Sequence, residues 1–289
     1  MDESGSTAYL FGGRAGATAF DDLWAYDLAA GTWREIEVAG PRPAARFGHE
    51  AAWTSLKDGL VMTLGQAGST FFGDIWQFDP GTSTWRELPS EGRTPLPRYG
   101  SCSGIASDGR LWISHGFTED GSRFSDTRAY DFEAEAWVSE TPSAGAPKER
   151  CLHVCWWTQD GAFTLYGGQT TGVPALGDLW SLVPGQDGAE NTWRQLAEPG
   201  AVARHLPAVA QRGPLTYLVG GRDLHRAPLD DTWVVDDRNA GTFMRVQTGG
   251  GPPARSGAAL VHDEERDRML LFGGIGEGAL GDLWALTFD

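Results

Sequence analysis

Leu215-Thr-Tyr-Leu-Val-Gly-Gly221, followed ten residues later by Asp231-Thr-Trp233, decides the reading of this chain. An apolar run ends in a glycine pair, and an Asp-x-Trp then opens a second apolar run. The phrase is written six times. The first half recurs as Tyr9-Leu-Phe-Gly-Gly13, Val61-Met-Thr-Leu-Gly65, Trp112-Ile-Ser-His-Gly116, Thr164-Leu-Tyr-Gly-Gly168 and Met269-Leu-Leu-Phe-Gly-Gly274. The second half recurs as Asp22-Leu-Trp24, Asp74-Ile-Trp76, Asp126-Thr-Arg128, Asp178-Leu-Trp180 and Asp282-Leu-Trp284. From Gly13 through Gly65, Gly116, Gly168 and Gly221 to Gly274 the steps are 52, 51, 52, 53 and 53 residues. A period near 50 that runs through almost the whole chain signals a repeat architecture.

Each repeat contains four strand-like pieces. In the second, Arg46 to Trp53, Gly59 to Gly65, Asp74 to Phe78 and Thr84 to Leu88 are separated by turn sequences such as Lys57-Asp-Gly59 and Asp79-Pro-Gly81. Asp-Gly at 58–59, 108–109 and 160–161 supplies the positive φ that tight hairpins need. Pro-rich connectors ending in Arg46, Arg98, Arg150, Arg204 and Arg255 lead into the next copy. Four-stranded antiparallel units repeated in this way predict an all-β, six-bladed β-propeller. No repeat can bury both faces alone, so one domain is expected over 1–289, with repeats at about 7–45, 46–97, 98–149, 150–203, 204–254 and 255–289. The first blade lacks a strand one and the last lacks a strand four. Either the chain is a piece of a longer protein or its closure is unorthodox, and two strand edges need covering.

The glycine pair, the Asp-x-Trp, the later aromatic (Trp33, Trp85, Trp137, Trp193 and Phe243) and the Pro-x-x-Arg-x-x-His connector resemble kelch repeats, in the variant with a Gly-x-x-Pro-x-x-Arg linker. The likeness extends from residue 7 to residue 289. It implies a kelch-type propeller that serves as an interaction platform, with a ligand pocket at one mouth lined by two slots per repeat. The slot after the glycine pair holds Arg14, Gln66, Phe117, Gln169, Arg222 and Ile275. The slot after the connector arginine holds Phe47, Tyr99, Cys151, His205 and Ser256. Guanidiniums, amides and aromatics in slots of fixed position but changing chemistry suit a ligand mouth. The third repeat departs furthest, with His115 in place of the first glycine and Arg128 in place of the tryptophan. His115, His205 and His225 are the side chains expected to be perturbed if the mouth is catalytic.

Residues present in nearly every copy serve the blade. Trp24, Trp76, Trp180, Trp233 and Trp284 share one slot and are expected to pack between blades. So are the apolar residues two places before each repeated aspartate, from Phe20 to Leu280. The repeated arginines are expected to form inter-blade ion pairs with the repeated aspartates; a ring of arginines binding an anion is the alternative.

The net charge is −16, from 23 Lys and Arg against 39 Asp and Glu, and no basic run occurs. This excludes nucleic acid and an anionic membrane surface as partners. The opening residues are acidic and polar, so no signal peptide is expected, and no stretch of about 18 apolar residues could span a bilayer. Cys102, Cys151 and Cys155 are too few for a disulfide framework and are read as buried, reduced thiols of a cytoplasmic protein. No nucleophile elbow or phosphate loop is present, and no cofactor or metal is expected. The chain is therefore read as a binding module for a protein, peptide, or anionic or aromatic ligand. The alternatives are a small enzyme or specifier protein acting in the same mouth, and a subunit of a larger assembly.

Overall fold

The computed structural model describes residues 1–2, 4–185, 189–197, 202–239 and 242–288. They form two compact units, Met1–Glu140 and Thr141–Asp289, each carrying three blade sheets. The fold is all-β, with six propeller blades, and the only helical turn among the described residues is a 3-10 turn at Asp237–Asn239. No helix among those residues is long and apolar enough to cross a membrane.

In the first unit the first blade has three strands, Thr7–Ala15, Thr18–Asp27 and Thr32–Glu35, and so lacks strand one as expected. The second runs Glu50–Thr54, Gly59–Thr63, Ile75–Asp79 and Thr84–Glu87, each strand antiparallel to the last. Strand one begins at Glu50, four residues after the connector arginine where the sequence suggested it would start. The third blade gains a fifth strand. Glu91–Gly92, in the connector, pairs parallel to Ala136–Trp137 at the outer edge. Gly92 permits this approach: its φ is +76°, and a Cβ there would press on the Trp137 carbonyl. The connector thus covers part of a strand edge that would otherwise expose unpaired groups.

In the second unit the fourth blade runs Val154–Trp157, Phe163–Tyr166, Leu179–Val183 and Thr192–Ala197. The fifth runs Ala208–Arg212, Leu215–Val219, Thr232–Asp236 and Phe243–Val246. The sixth stops after Ala259–Asp263, Arg268–Phe272 and Leu283–Thr287. With no strand four beside it, Trp284 is 38% exposed. The other tryptophans of its slot are partly covered, with Trp76 the most buried. The deepest tryptophans lie elsewhere, at Trp112 and Trp137.

The cores lie between neighbouring blades. Phe11, Leu23, Leu60, Met62, Phe78 and Trp85 fill the space between the first and second, and Val154, Tyr166, Leu218 and Val235 that between the fourth and fifth. Neighbouring first strands meet with an offset of one residue. Glu50, four after its arginine, is hydrogen-bonded to Ser103, five after the next. Val154 and Val209 share a core at the same offsets, as do Ala208 and Leu260.

Cys102 and Cys155 are both disulfide-bonded. Only Cys151 is a free, buried thiol. This corrects the expectation of three reduced thiols. Disulfides persist in oxidising compartments, so the cysteines lend no support to a cytoplasmic address. Alkylating the denatured, unreduced protein should label Cys151 alone, and all three cysteines after reduction. Peptide mapping that finds Cys102 or Cys155 labelled before reduction would refute the disulfide.

The connector arginines are the joints of each unit. All five are buried, and each donates a bidentate pair of hydrogen bonds to the aspartate of its own repeat. Arg150 Nη1 and Nη2 reach the Asp178 carboxylate at 2.7 and 2.8 Å, while Nη1 also donates to the Gly167 carbonyl and Nε to the Lys148 carbonyl. The ion pairs therefore lie within one blade, a correction to the inter-blade pairing expected. The link between blades is made by the arginine backbone. Arg46 N–H donates to the Phe20 carbonyl and its carbonyl accepts from Gly13 N–H, both in the preceding repeat. Arg98, Arg204 and Arg255 repeat this pattern. The apolar residues two before each aspartate are correspondingly half-buried or, at Phe20, exposed. Phe72 and Phe124 lie under the guanidiniums of Arg46 and Arg98 at 3.8 and 3.9 Å.

Burial alone would raise the Asp178 carboxyl, but the Arg150 hydrogen bonds and charge outweigh it and hold the group below the usual carboxylate range. Asp178→Ala would leave a buried guanidinium without its counter-charge. It should destabilise by about 3–5 kcal/mol in urea denaturation, and a near-neutral result would remove these pairs from the framework.

Candidate functional site

One slot lies one residue beyond each joint arginine and the other one residue beyond the last glycine of the apolar run, whose N–H at Gly13, Gly65, Gly168 and Gly221 donates to an arginine carbonyl. The structure pairs them in every repeat that has both. Phe47 bridges Gln66, Tyr99 bridges Phe117, Cys151 bridges Gln169, His205 bridges Arg222 and Ser256 bridges Ile275. Each pair exchanges two backbone hydrogen bonds at 2.8–3.0 Å.

In the first unit the slots form an aromatic row. Phe47 meets Tyr99 edge to face at 5.5 Å, Tyr99 meets Phe117 at 5.3 Å, and Phe71 meets Phe117 at 5.6 Å. All four rings are partly exposed. Arg14 is exposed and its guanidinium lies 4.2 Å above the Phe47 ring. Gly48 makes the row possible, because its φ is +58° and a Cβ there would overlap the Tyr99 ring. Phe71 was not singled out in the sequence. Its signal was an aromatic six residues past Gly65, in a loop that folds as the short hairpin Gln66–Ala67 with Thr70–Phe71.

In the second unit the slots are polar except at Ile275. Cys151, His205 and Ser256 are buried, and Gln169, Arg222 and Ile275 are half-covered. Arg222 is held in place: Nε donates to Ser256 Oγ at 3.0 Å and Nη1 to the Arg226 carbonyl at 2.8 Å. Burial, reinforced by the Arg222 charge, lowers the pKa of His205, so its ring is neutral beside the guanidinium. His225 stands exposed at the tip of the same loop.

His115 does not join the slots. It is 0% exposed, its φ of 58° takes the conformation of the glycine it replaces, and its Nδ1 is 2.6 Å from Ser114 Oγ. Its carbonyl accepts hydrogen bonds from Arg98 and Ser101, so its place is structural. Arg128 keeps the framework too. Its Nε donates to Asp126 Oδ2 at 3.1 Å, the bond that Trp76 and Trp180 Nε1 make to Asp74 and Asp178 at 2.7 Å. No group of three metal-binding side chains gathers among the described residues.

Sequence reasoning missed Glu50. The slot four after the arginine holds Cys102, Val154, Ala208 and Ala259 in the other repeats, so a carboxylate stands out there. Burial pushes the Glu50 carboxyl up to about 8, against the opposing hydrogen bond from Ser103. The adjacent His49 is driven the other way, to about 3, by burial and the Arg46 charge. Because Glu50 is raised in the folded state, its stabilising contribution is complete below the ordinary glutamate pKa and is lost as pH rises through about 8. Glu50→Gln should therefore melt close to wild type near pH ~5 and above it near pH ~9. A thermal-melt difference independent of pH would refute the raised value.

Comparison with known proteins adds the following. The family profile described as the KLHDC2/KLHL20/DRC7 Kelch-repeats domain matches residues 3–114. The Rab9 effector protein with kelch motifs of Xenopus laevis is 34% identical over 197 residues, which is 66% of this chain and 53% of that protein. Adagio-like protein 3 of Oryza sativa subsp. japonica is 31% identical over 207 residues, 68% of this chain and 32% of that protein. Kelch domain-containing protein 3 of Bos taurus is 25% identical over 205 residues, covering 52% of its length. The chain thus spans between a third and about half of these three relatives.

Proposed function

The chain belongs to the kelch-repeat family, and from that premise we propose that it is an interaction module whose slots, two per repeat, contact a protein or peptide partner. The carrying observation is the aromatic row Phe47, Tyr99, Phe117 and Phe71. Partly exposed aromatics and a pre-positioned arginine are the side chains that anchor protein interfaces, because they bury much area for little lost rotamer freedom. Arg222 is such an arginine, already fixed by Ser256 before any partner arrives. The relative named as a Rab9 effector supports a macromolecular partner over a small-molecule reaction.

The test is capture of partners by the immobilised chain, quantified by mass spectrometry against variants. Phe117→Ala and Arg222→Ala should each reduce capture of the same partner by at least ~10-fold, while the remote Arg86→Ala should not. Arg222→Ala loses two hydrogen bonds and should cost no more than roughly 1–2 kcal/mol of stability. A partner retained equally by all three variants would place the contact elsewhere.

A further inference from the structure

A row of four side chains crosses each complete blade on one face, set by strand register. In the fourth blade it is Trp156, Thr164, Ser181 and Arg194. At the place of Thr164, four residues before the second glycine, the other repeats carry Tyr9, Val61, Trp112, Tyr217 and Leu270. Only here is a bulky apolar residue replaced by a small hydroxyl. The fifth blade breaks its own rule opposite this row. Where the other repeats carry Leu28, Pro80, Phe132, Pro184 and Phe288, the fifth carries Asp237. Two independent exchanges of apolar bulk for polarity therefore face one cleft.

The cleft lies within the second unit and has a volume of about 180 Å³. An apolar cavity of about 150 Å³ is large enough to hold benzene. Its walls are apolar at Leu179, Leu196 and Val235. Two acids also line it. Asp237 accepts a hydrogen bond from Trp156 Nε1 at 3.0 Å, and Asp160 also lines the space. Thr164 is 2% exposed and its Oγ1 has no hydrogen-bond partner. A buried hydroxyl without a partner carries a desolvation cost that a ligand N–H would relieve. Burial raises the Asp237 carboxyl, and the Asp160 and Asp236 charges add to this against hydrogen bonds from Trp156 and, at 3.4 Å, Gln211; among the described residues no cation pairs with it. Arg194, the one cation in the lining, is on the outermost strand, three strand spacings or about 14 Å from the Trp156 strand.

We propose that this cleft between the fourth and fifth blades is a binding site for a small organic ammonium compound, its cationic head between Asp237 and the Thr164 hydroxyl and its apolar body against Leu179, Leu196 and Val235. The site is separate from the slots of the proposed partner surface.

Benzylammonium is the probe, with benzyl alcohol and benzoate as its neutral and anionic counterparts. Each is titrated into the full chain while the Trp156 indole N–H resonance, identified by its loss in Trp156→Phe, is followed by NMR. Benzylammonium should shift that resonance saturably below about 10 mM, with benzyl alcohol at least ~10-fold weaker and benzoate without effect. Asp237→Asn should weaken benzylammonium by at least ~10-fold. Thr164→Leu, which restores the bulk of the last repeat, should abolish the shift, and Arg222→Ala should leave it unchanged. Absence of a saturable shift in the wild type, or equal affinity for amine and alcohol, would overturn the proposal and leave a solvent-filled cleft. The comparison of the three probes on wild-type protein decides this even if a variant fails to fold.

Discussion

The arginine at each joint is the constraint on which the rest of the structure depends. Its side chain is spent within its own blade, on the repeated aspartate and the carbonyl before the last glycine of the apolar run. The backbones of Arg46, Arg98, Arg204 and Arg255 are spent on the preceding repeat. A buried guanidinium is costly unless its donors are matched, and here carboxylate and carbonyls in fixed positions match it. That requirement explains why the aspartate and the glycines recur with the arginine. The glycine carbonyl must face the guanidinium, and a left-handed backbone turns it there. His115 adopts the same φ as the glycines and presents the same carbonyl to Arg98.

Because each slot is one residue from a joint arginine or from the last glycine of the apolar run, its backbone is fixed while its side chain is free to vary. The first unit uses this freedom for rings, the second for an amide, an imidazole and a guanidinium. Both are built on the same bridge between slots. Rigid backbone with variable side chains makes a recognition surface without requiring the loops to order on binding, which lowers the entropic cost of association.

The period and the strands were legible in the sequence because both repeat within it; the slots came from the likeness to kelch repeats, and their pairing from the structure. Features that join one repeat to the next were not. The hydrogen bond of Glu50 with Ser103 depends on neighbouring first strands meeting four and five residues past their arginines. Nothing within a single repeat reveals that offset. The intra-blade pairing of Arg46 with Asp74 was likewise hidden, since the sequence shows that both recur but not on which side of the joint they meet. The connector strand Glu91–Gly92 had no strand signal, because a two-residue parallel edge is set by its neighbour and not by local propensity.

Departures from the repeat therefore have to be weighed by the chemistry they conserve. Arg128 looks like the sharpest break, a charge for an indole. It nevertheless returns an N–H to the same aspartate, so the blade loses none of its hydrogen bonding. His115 replaces a glycine and keeps its φ. Thr164 and Asp237 look milder, but each removes apolar volume that the framework supplies everywhere else, and neighbouring side chains do not refill the space. A close-packed interior does not keep a cavity for free, since its walls forfeit contacts on one side. An exchange that preserves the framework bond points to drift within a tolerant repeat. A pair of exchanges that forgoes packing on both sides of one interface points to a ligand that restores it.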